Sequence, residues 1–491
     1  MSTTRASTPQ VPRTRRERAQ SLFVGAALAG ALGVSWLGCS FGWDSYDPRL
    51  GGGGAASTDA GGSGPTTGTA STSSDTGGAP STSGTGDAAS SSSSGGAGGG
   101  PVHCGGTSVL TDDFPGGDPG ELWDQYGDNT IVSQVGGEAL VILPKNSQNG
   151  SWGELDSQRA YDFRGDSVSI EVTSVGNPAT SAEAWFDIGT DDDYLQIYEK
   201  KGLLHFEQKV AGNTTSLKTT AYDPVAHRHW RFREDGQTTY WETSSDGASW
   251  TTMAQVPTAT LFPMDVAWIW FGGGTDGGDA NPGEVHFDRV NGGGPAKQKW
   301  CPASSFQDDF DDGVQSTAWA RSWQDDEGML AETDGKLVVT LVPNDSSGAS
   351  YVSASSFDLT NSSVLIEVPS AVSTMDGSST RIALGAPGDQ GVEMSVAQGH
   401  LYFNMRVLNN TQEIGSLLYS PVDHRWWRIR ESANTLYWET SPDGKAWQIQ
   451  AQQSPVPIPI DVLDLYIGSD GWQEQPNPGV SRFDNLNLPP Q

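Results

Sequence analysis

His227-Arg228-His229-Trp230-Arg231-Phe232-Arg233-Glu234 returns 197 residues later as His424-Arg425-Trp426-Trp427-Arg428-Ile429-Arg430-Glu431. Tyr240-Trp241-Glu242-Thr243-Ser244 returns at the same offset as Tyr437-Trp438-Glu439-Thr440-Ser441. Asp112-Asp113-Phe114 returns as Asp308-Asp309-Phe310, and Phe287-Asp288 as Phe483-Asp484, both 196 residues on. Solenoid units repeat every 20–50 residues or so, far less than this. The chain therefore carries one domain twice, over 104–291 and 301–488. A linker, 292–300, joins the copies and opens with Gly292-Gly293-Gly294-Pro295.

Within each copy the hydrophobic period is two. Val168, Ile170 and Val172 alternate with polar residues, and Val364, Ile366 and Val368 repeat the spacing in the second copy. Leu195 and Ile197 alternate before a Lys201-Gly202 turn, and Leu204 and Phe206 after it. Asp246-Gly247 and Asp443-Gly444 are hairpin turns between Trp-bearing strands. No segment after the N-terminal region holds a 3.6-residue period, so the class is all-β, a sandwich or barrel.

The first 103 residues read differently. Arg13, Arg15, Arg16 and Arg18 precede an uncharged run, Ser21 to Leu37, and then Gly38-Cys39. That is the pattern of a secretory signal over 1–38. The small residue before Cys39 resembles a bacterial lipobox, although Trp36 stands where that pattern usually has Leu. The resemblance implies a lipid on Cys39, with Ser40 favouring the outer membrane or cell surface. Residues 39–103 form the lipid attachment and a Gly/Ser/Thr-rich stalk with too little apolar surface to fold.

A net charge of −32 excludes a phosphate backbone as partner, since nucleic-acid binding displaces counterions with Lys and Arg. It also argues against a membrane contact other than the lipid anchor. Solubility alone accounts for such a surface equally well.

The copies resemble the concanavalin A-like lectin/glucanase superfamily, including laminin-G-like domains. The residues that carry this are Asp-Asp-Phe followed by Trp123 or Trp319, the His-Arg-x-Trp-Arg-x-Arg strand, the Tyr-Trp-Glu-Thr-Ser-x-Asp-Gly-x-x-Trp hairpin and the closing Phe-Asp. The resemblance implies two tandem antiparallel jelly-roll β-sandwiches. It also implies that the first and last strands of a copy lie close together, so Cys104 could bond Cys301 across the first copy. The alternative is two free thiols.

Alternation predicts a shared core face: Phe186/Ile382, Ile188/Leu384, Ile197/Met394, Phe206/Phe403, Trp230/Trp427 and Ile269/Leu465. The opposite face of copy one is read as carrying Trp185, Tyr194, Tyr198, His205, Arg231, Arg233, Trp268 and Trp270, joined by Glu242. In copy two the corresponding set is Tyr402, Arg428, Arg430, Glu439 and Tyr466, and most rings are lost. Aromatic planes beside Arg and carboxylate groups suit sugars. The competing reading is a second packing layer, or an Arg–Glu network that stiffens the sheet. The expected function is a carbohydrate-binding surface lipoprotein, with a structural or adhesion module contacting an envelope or matrix protein as the alternative.

Chemistry is not expected. The glucanases of the superfamily carry Glu-x-Asp-x-Glu or Glu-x-Asp-x-x-Glu on one strand, whereas Glu154-Leu155-Asp156-Ser157-Gln158 lacks the second Glu. Copy two has Ser350 and Val352 in place of the first two carboxylates. No cofactor is expected, with Asp191, Asp193, Asp276 and Asp279 as weak calcium candidates that lack EF-hand spacing.

Overall fold

The computed structural model describes residues 104–490, apart from 117–121, 129, 148–149, 191, 295–297, 320, 325–327, 345–346, 373–376, 409, 473–475 and the side chains of 321–324. Cys39, the signal and the stalk lie outside the described residues, as does Asp191. No helix among the described residues is long and apolar enough to cross a membrane.

The first copy contains β1 (Trp123–Asp128), β2 (Ile131–Val135), β3 (Glu138–Ile142), β4 (Ser151–Ser157), β5 (Ser167–Val175), β6 (Glu183–Gly189) and β7 (Tyr194–Lys200). It continues with β8 (Leu203–Val210), β9 (Asn213–Ala221), β10 (His229–Glu234), β11 (Thr238–Ser244), β12 (Thr251–Pro257), β13 (Trp268–Thr275) and β14 (Glu284–Asp288). One sheet, the front sheet, has the order β1-β4-β13-β6-β7-β8-β9, and the back sheet β12-β11-β10-β5-β14-β3-β2.

After β15 (Cys301–Pro302), the second copy has β16 (Arg321–Gln324), β17 (Met329–Glu332), β18 (Leu337–Thr340), β19 (Gly348–Val352), β20 (Phe357–Asp358), β21 (Ser363–Ser370) and β22 (Ser378–Ala386). Then come β23 (Gln390–Ala397), β24 (His400–Val407), β25 (Asn410–Leu418), β26 (Trp426–Glu431), β27 (Leu436–Ser441), β28 (Gln448–Gln453), β29 (Asp464–Gly471) and β30 (Val480–Asp484). Its sheets, β16-β19-β29-β22-β23-β24-β25 and β28-β27-β26-β21-β30-β18-β17, repeat the first copy strand for strand. The fold is a tandem pair of antiparallel jelly-roll β-sandwiches, each built from two seven-stranded sheets.

The inner faces follow the alternation. Phe186, Ile188, Leu195, Ile197, Phe206, Ile269 and Phe271 of the front sheet pack on Val168, Ile170, Trp230, Phe232, Trp241 and Phe287 of the back sheet. A buried indole needs an acceptor. A β-bulge at Phe206/Glu207 disturbs the β8–β9 ladder, and there the Trp241 Nε1 donates to the Gln196 and Glu207 carbonyls, each at 3.1 Å. In the second copy Trp438 donates likewise to the Glu393 carbonyl. The Asp-Asp-Phe motif has a physical reason as well. Asp112 accepts from the Trp123 indole at 2.9 Å, and Asp308 from the Trp319 indole at 2.7 Å.

Cys104 and Cys301 are joined by a disulfide, with their Cα atoms 4.8 Å apart. The sandwiches touch beyond it. Trp300 of the linker stacks on Tyr161 of the first at 5.1 Å, and between the sandwiches Ala160 donates its N–H to the Ala354 carbonyl. Arg159 pairs with Asp464 at 3.3 Å, both side chains buried.

Candidate functional site

Leu155 points into the core, so its neighbours Glu154 and Asp156 point to the outer face of the front sheet. The antiparallel register then sets what stands beside them. Asp124 opposes Asp156, which opposes Trp270 on its other side, and the row continues through Asp187, Gln196 and Glu207. The adjacent row runs Tyr126, Glu154, Gly272, Trp185, Tyr198, His205 and Thr219. Opposed residues on one face have Cβ atoms about 5 Å apart, so each row is a contiguous line of side chains crossing the strands.

The rows are organised by direct contacts. Tyr198 and His205 stack with centroids 4.5 Å apart and planes 6° from parallel. Thr219 Oγ1 lies 3.2 Å from His205 Nδ1, and the Tyr198 hydroxyl donates to Glu207 at 3.1 Å. Gln196 donates to Asp187 at 3.2 Å, and Tyr194 meets Trp270 edge-on. Burial and the Glu207 carboxylate push the Tyr198 hydroxyl up, so it stays a donor. Burial lowers His205, so its ring is neutral at neutral pH. Gly272 has to be glycine: a Cβ there would meet the Gly153 carbonyl and lie 2.6 Å from the Glu154 Cβ.

Trp185, Trp270, Tyr194 and Tyr198 are half-buried and share this face. Trp268 shares it but is only 4% exposed, packed with Ala160, Val266 and Ala354 of the second copy. It is a junction residue and not an open platform. Glu154 and Asp156 are 1% and 4% exposed.

The structure corrects the expected grouping of Arg231, Arg233 and Glu242 with these rings. They stand on β10 and β11 of the back sheet, on the opposite outer surface. Alternation tells inner from outer face within a strand but does not say which of two sheets the strand joins. There Glu242 receives Arg231 at 2.7 Å and Arg233 at 3.3 Å. The guanidiniums lie over Trp250 and Tyr240 at 4.1 and 3.8 Å. The second copy repeats this with Arg428, Arg430, Glu439, Trp447 and Tyr437. Ring, guanidinium and carboxylate consume one another in both copies, which is the stiffening arrangement. Tyr402 and Tyr466 are on the other sheet of that copy, its front sheet, and Tyr466 packs with Val352 and Ala383.

Asp276 pairs with Lys200 at 3.0 Å, while Asp279 accepts from the Ser181 amide at 3.0 Å and from the Thr275 hydroxyl at 2.8 Å. Asp193 belongs to the turn before β7, where its carbonyl accepts from Thr190. Among the described residues no group of three or more ligating side chains is placed to hold a metal.

Asp124, Tyr126, Asp187, Gln196 and Glu207 were missed by sequence reasoning. Asp187 and Gln196 carried a usable signal, the same strand parity as Trp185 and Tyr194. Asp124 carried none, because only register sets it across from Asp156.

No family model matches the chain, and no characterised protein matches it in sequence. Solved structures resemble it in fold. A β-glucanase from Bacillus licheniformis is 16% identical, with a TM-score of 0.30 over 37% of this chain and 95% of that one. The catalytic domain of an endo-1,3-β-glucanase (laminarinase) from Thermotoga petrophila is 6% identical, with a TM-score of 0.29 over 37% and 95%. A glycosyl hydrolase family 16 protein from Mycobacterium smegmatis is 15% identical, with a TM-score of 0.29 over 37% and 98%. The expectation that this chain does no chemistry is corrected at this point. The three proteins just named are described as a β-glucanase, an endo-1,3-β-glucanase and a glycosyl hydrolase of family 16, and in this chain Asp124 stands opposite Asp156 on the neighbouring strand.

Proposed function

We propose that the outer face of the first sandwich's front sheet holds a carbohydrate chain laid across the strands. The observation that carries this reading is the pair of adjacent rows: Trp185, Tyr198 and His205 in one, and Asp124, Asp156, Asp187 and Glu207 in the other. Ring faces take the C–H faces of sugars, and carboxylates accept their hydroxyls. The second copy has Arg381, Ser395, Val352 and Ala383 at the positions of Trp185, Tyr198, Asp156 and Asp187, which supports the first copy as the binding one.

A second reading, cleavage or transfer of a glycosidic bond, is favoured by Asp124, Glu154 and Asp156 sharing one strand pair. Such chemistry uses two carboxyls flanking the bond, about 5 Å apart when configuration is retained. The chain would act at the outer membrane or cell surface, tethered by a lipid on Cys39 with 39–103 as the stalk. Loss of labelled-fatty-acid incorporation in Cys39→Ser tests that anchor.

The functional test is affinity electrophoresis on laminarin and mixed-linkage β-glucan, with a reducing-end assay in parallel. Retardation that disappears in Trp185→Ala/Tyr198→Ala supports the binding face. New reducing ends that disappear in Glu154→Gln support chemistry. A folded chain retarded by no glycan overturns the proposal and favours an envelope or matrix protein as partner.

A further inference from the structure

Corresponding positions of the two copies meet at their junction. The alignment there is fixed by structure: the Ser157 hydroxyl accepts from the Ile269 amide, and the Ser353 hydroxyl from the Leu465 amide, both at 3.0 Å. Residue 159 therefore corresponds to 355, 160 to 356, and 268 to 464. Arg159 Nε donates to Ser356 Oγ at 2.5 Å, while Ser355 Oγ donates to the Ala160 carbonyl at 2.7 Å. The same two positions thus make contact in both directions. Asp464, the first residue of β29, receives Arg159 of the first copy, and Trp268, the first residue of β13, packs on Ala354 of the second. The disulfide joins Cys104 to Cys301, the residues that open the two copies.

Reciprocal contact between equivalent positions is the property of a two-fold interface. Head-to-tail stacking would bring different surfaces together. We infer that the two sandwiches face each other across a local two-fold axis passing beside the disulfide, and that this junction is a homotypic docking surface whose partner is a second copy of the same domain. The divergence between copies tunes the choice of partner. Two first copies would place each Arg159 against a Trp268, and two second copies each Asp464 against a Ser355. Only the mixed pair gives the buried guanidinium its carboxylate. Specificity of this kind comes from leaving charges unpaired in the wrong complex. A two-fold contact is also closed, so the surface is fully used within one chain.

Spin labels on exposed side chains test the symmetry without touching the junction. Val225 and Val422 correspond and are both 71% exposed, and Thr251 and Gln448 correspond and are exposed. A two-fold axis makes the 225-to-448 distance equal to the 422-to-251 distance in the full chain, which a translational repeat does not. Clearly unequal distances overturn the inference. A second arm exchanges the junction residues. Arg159→Ser alone should lower the unfolding midpoint. The reciprocal variant Arg159→Ser/Trp268→Asp/Ser355→Arg/Asp464→Trp should recover most of the loss, because a two-fold recreates the ion pair on the other side. No recovery in a folded reciprocal variant also overturns it.

Discussion

Glu199 lies on the inner face of β7, fully buried, where the second copy has Val396. One carboxylate oxygen accepts from the Gly202 amide at 2.5 Å, and the other has no hydrogen-bond partner among the described residues. Burial pushes this carboxyl up to about 7 from 4.5. The folded state therefore holds a proton that the unfolded chain releases near 4.5. Stability is complete below that pH, falls as pH rises from 4.5 towards 7, and is level above 7. Full burial would make the loss about 3 kcal/mol, and residual hydration reduces it to about 2 kcal/mol. Glu199→Gln keeps the shape and the Gly202 contact and removes the titration. Denaturant unfolding of both proteins, followed by Trp fluorescence from pH 4 to pH 8, gives the difference directly. The variant should gain on the wild type by about 2 kcal/mol across that window. A difference that does not change with pH refutes the account of a proton held by burial.

Trp185→Ala should weaken glycan retardation about 5–10-fold, the worth of one stacked ring; Arg233→Ala, on the opposite surface, should leave retardation unchanged. Arg159→Ala leaves Asp464 buried without its cation and should cost about 3–5 kcal/mol in denaturant unfolding. Burial would raise the Glu439 carboxyl, but hydrogen bonds and charge from Arg430 and Arg428 outweigh it and hold it below 4.5. Its contribution is present above 4.5 and lost as pH falls through the lower folded value, so Glu439→Gln should cost about 1–3 kcal/mol at pH 7 and less at pH 3 by the same assay.

The sequence alone determined the duplication, the all-β class and the core. A strand shows only two faces, and alternation at Phe186, Ile197, Trp230 and Ile269 tells inward from outward wherever one face is buried. It also placed Trp185, Tyr194, Tyr198 and Trp270 outward on strands that do share a sheet. Only tertiary structure decided the rest. Whether β10 lies beside β13 or across the core from it depends on chain crossovers, not on parity, and so Arg231, Arg233 and Glu242 left the candidate site. Asp124 and Asp156 are 32 positions apart and become neighbours through the β1–β4 register. Trp268 reads as an exposed ring, yet it is buried in a cluster with Ala160, Val266 and Ala354 of the other copy. These are relations between distant segments, set by which surfaces the whole chain can bury together, and no local pattern encodes them.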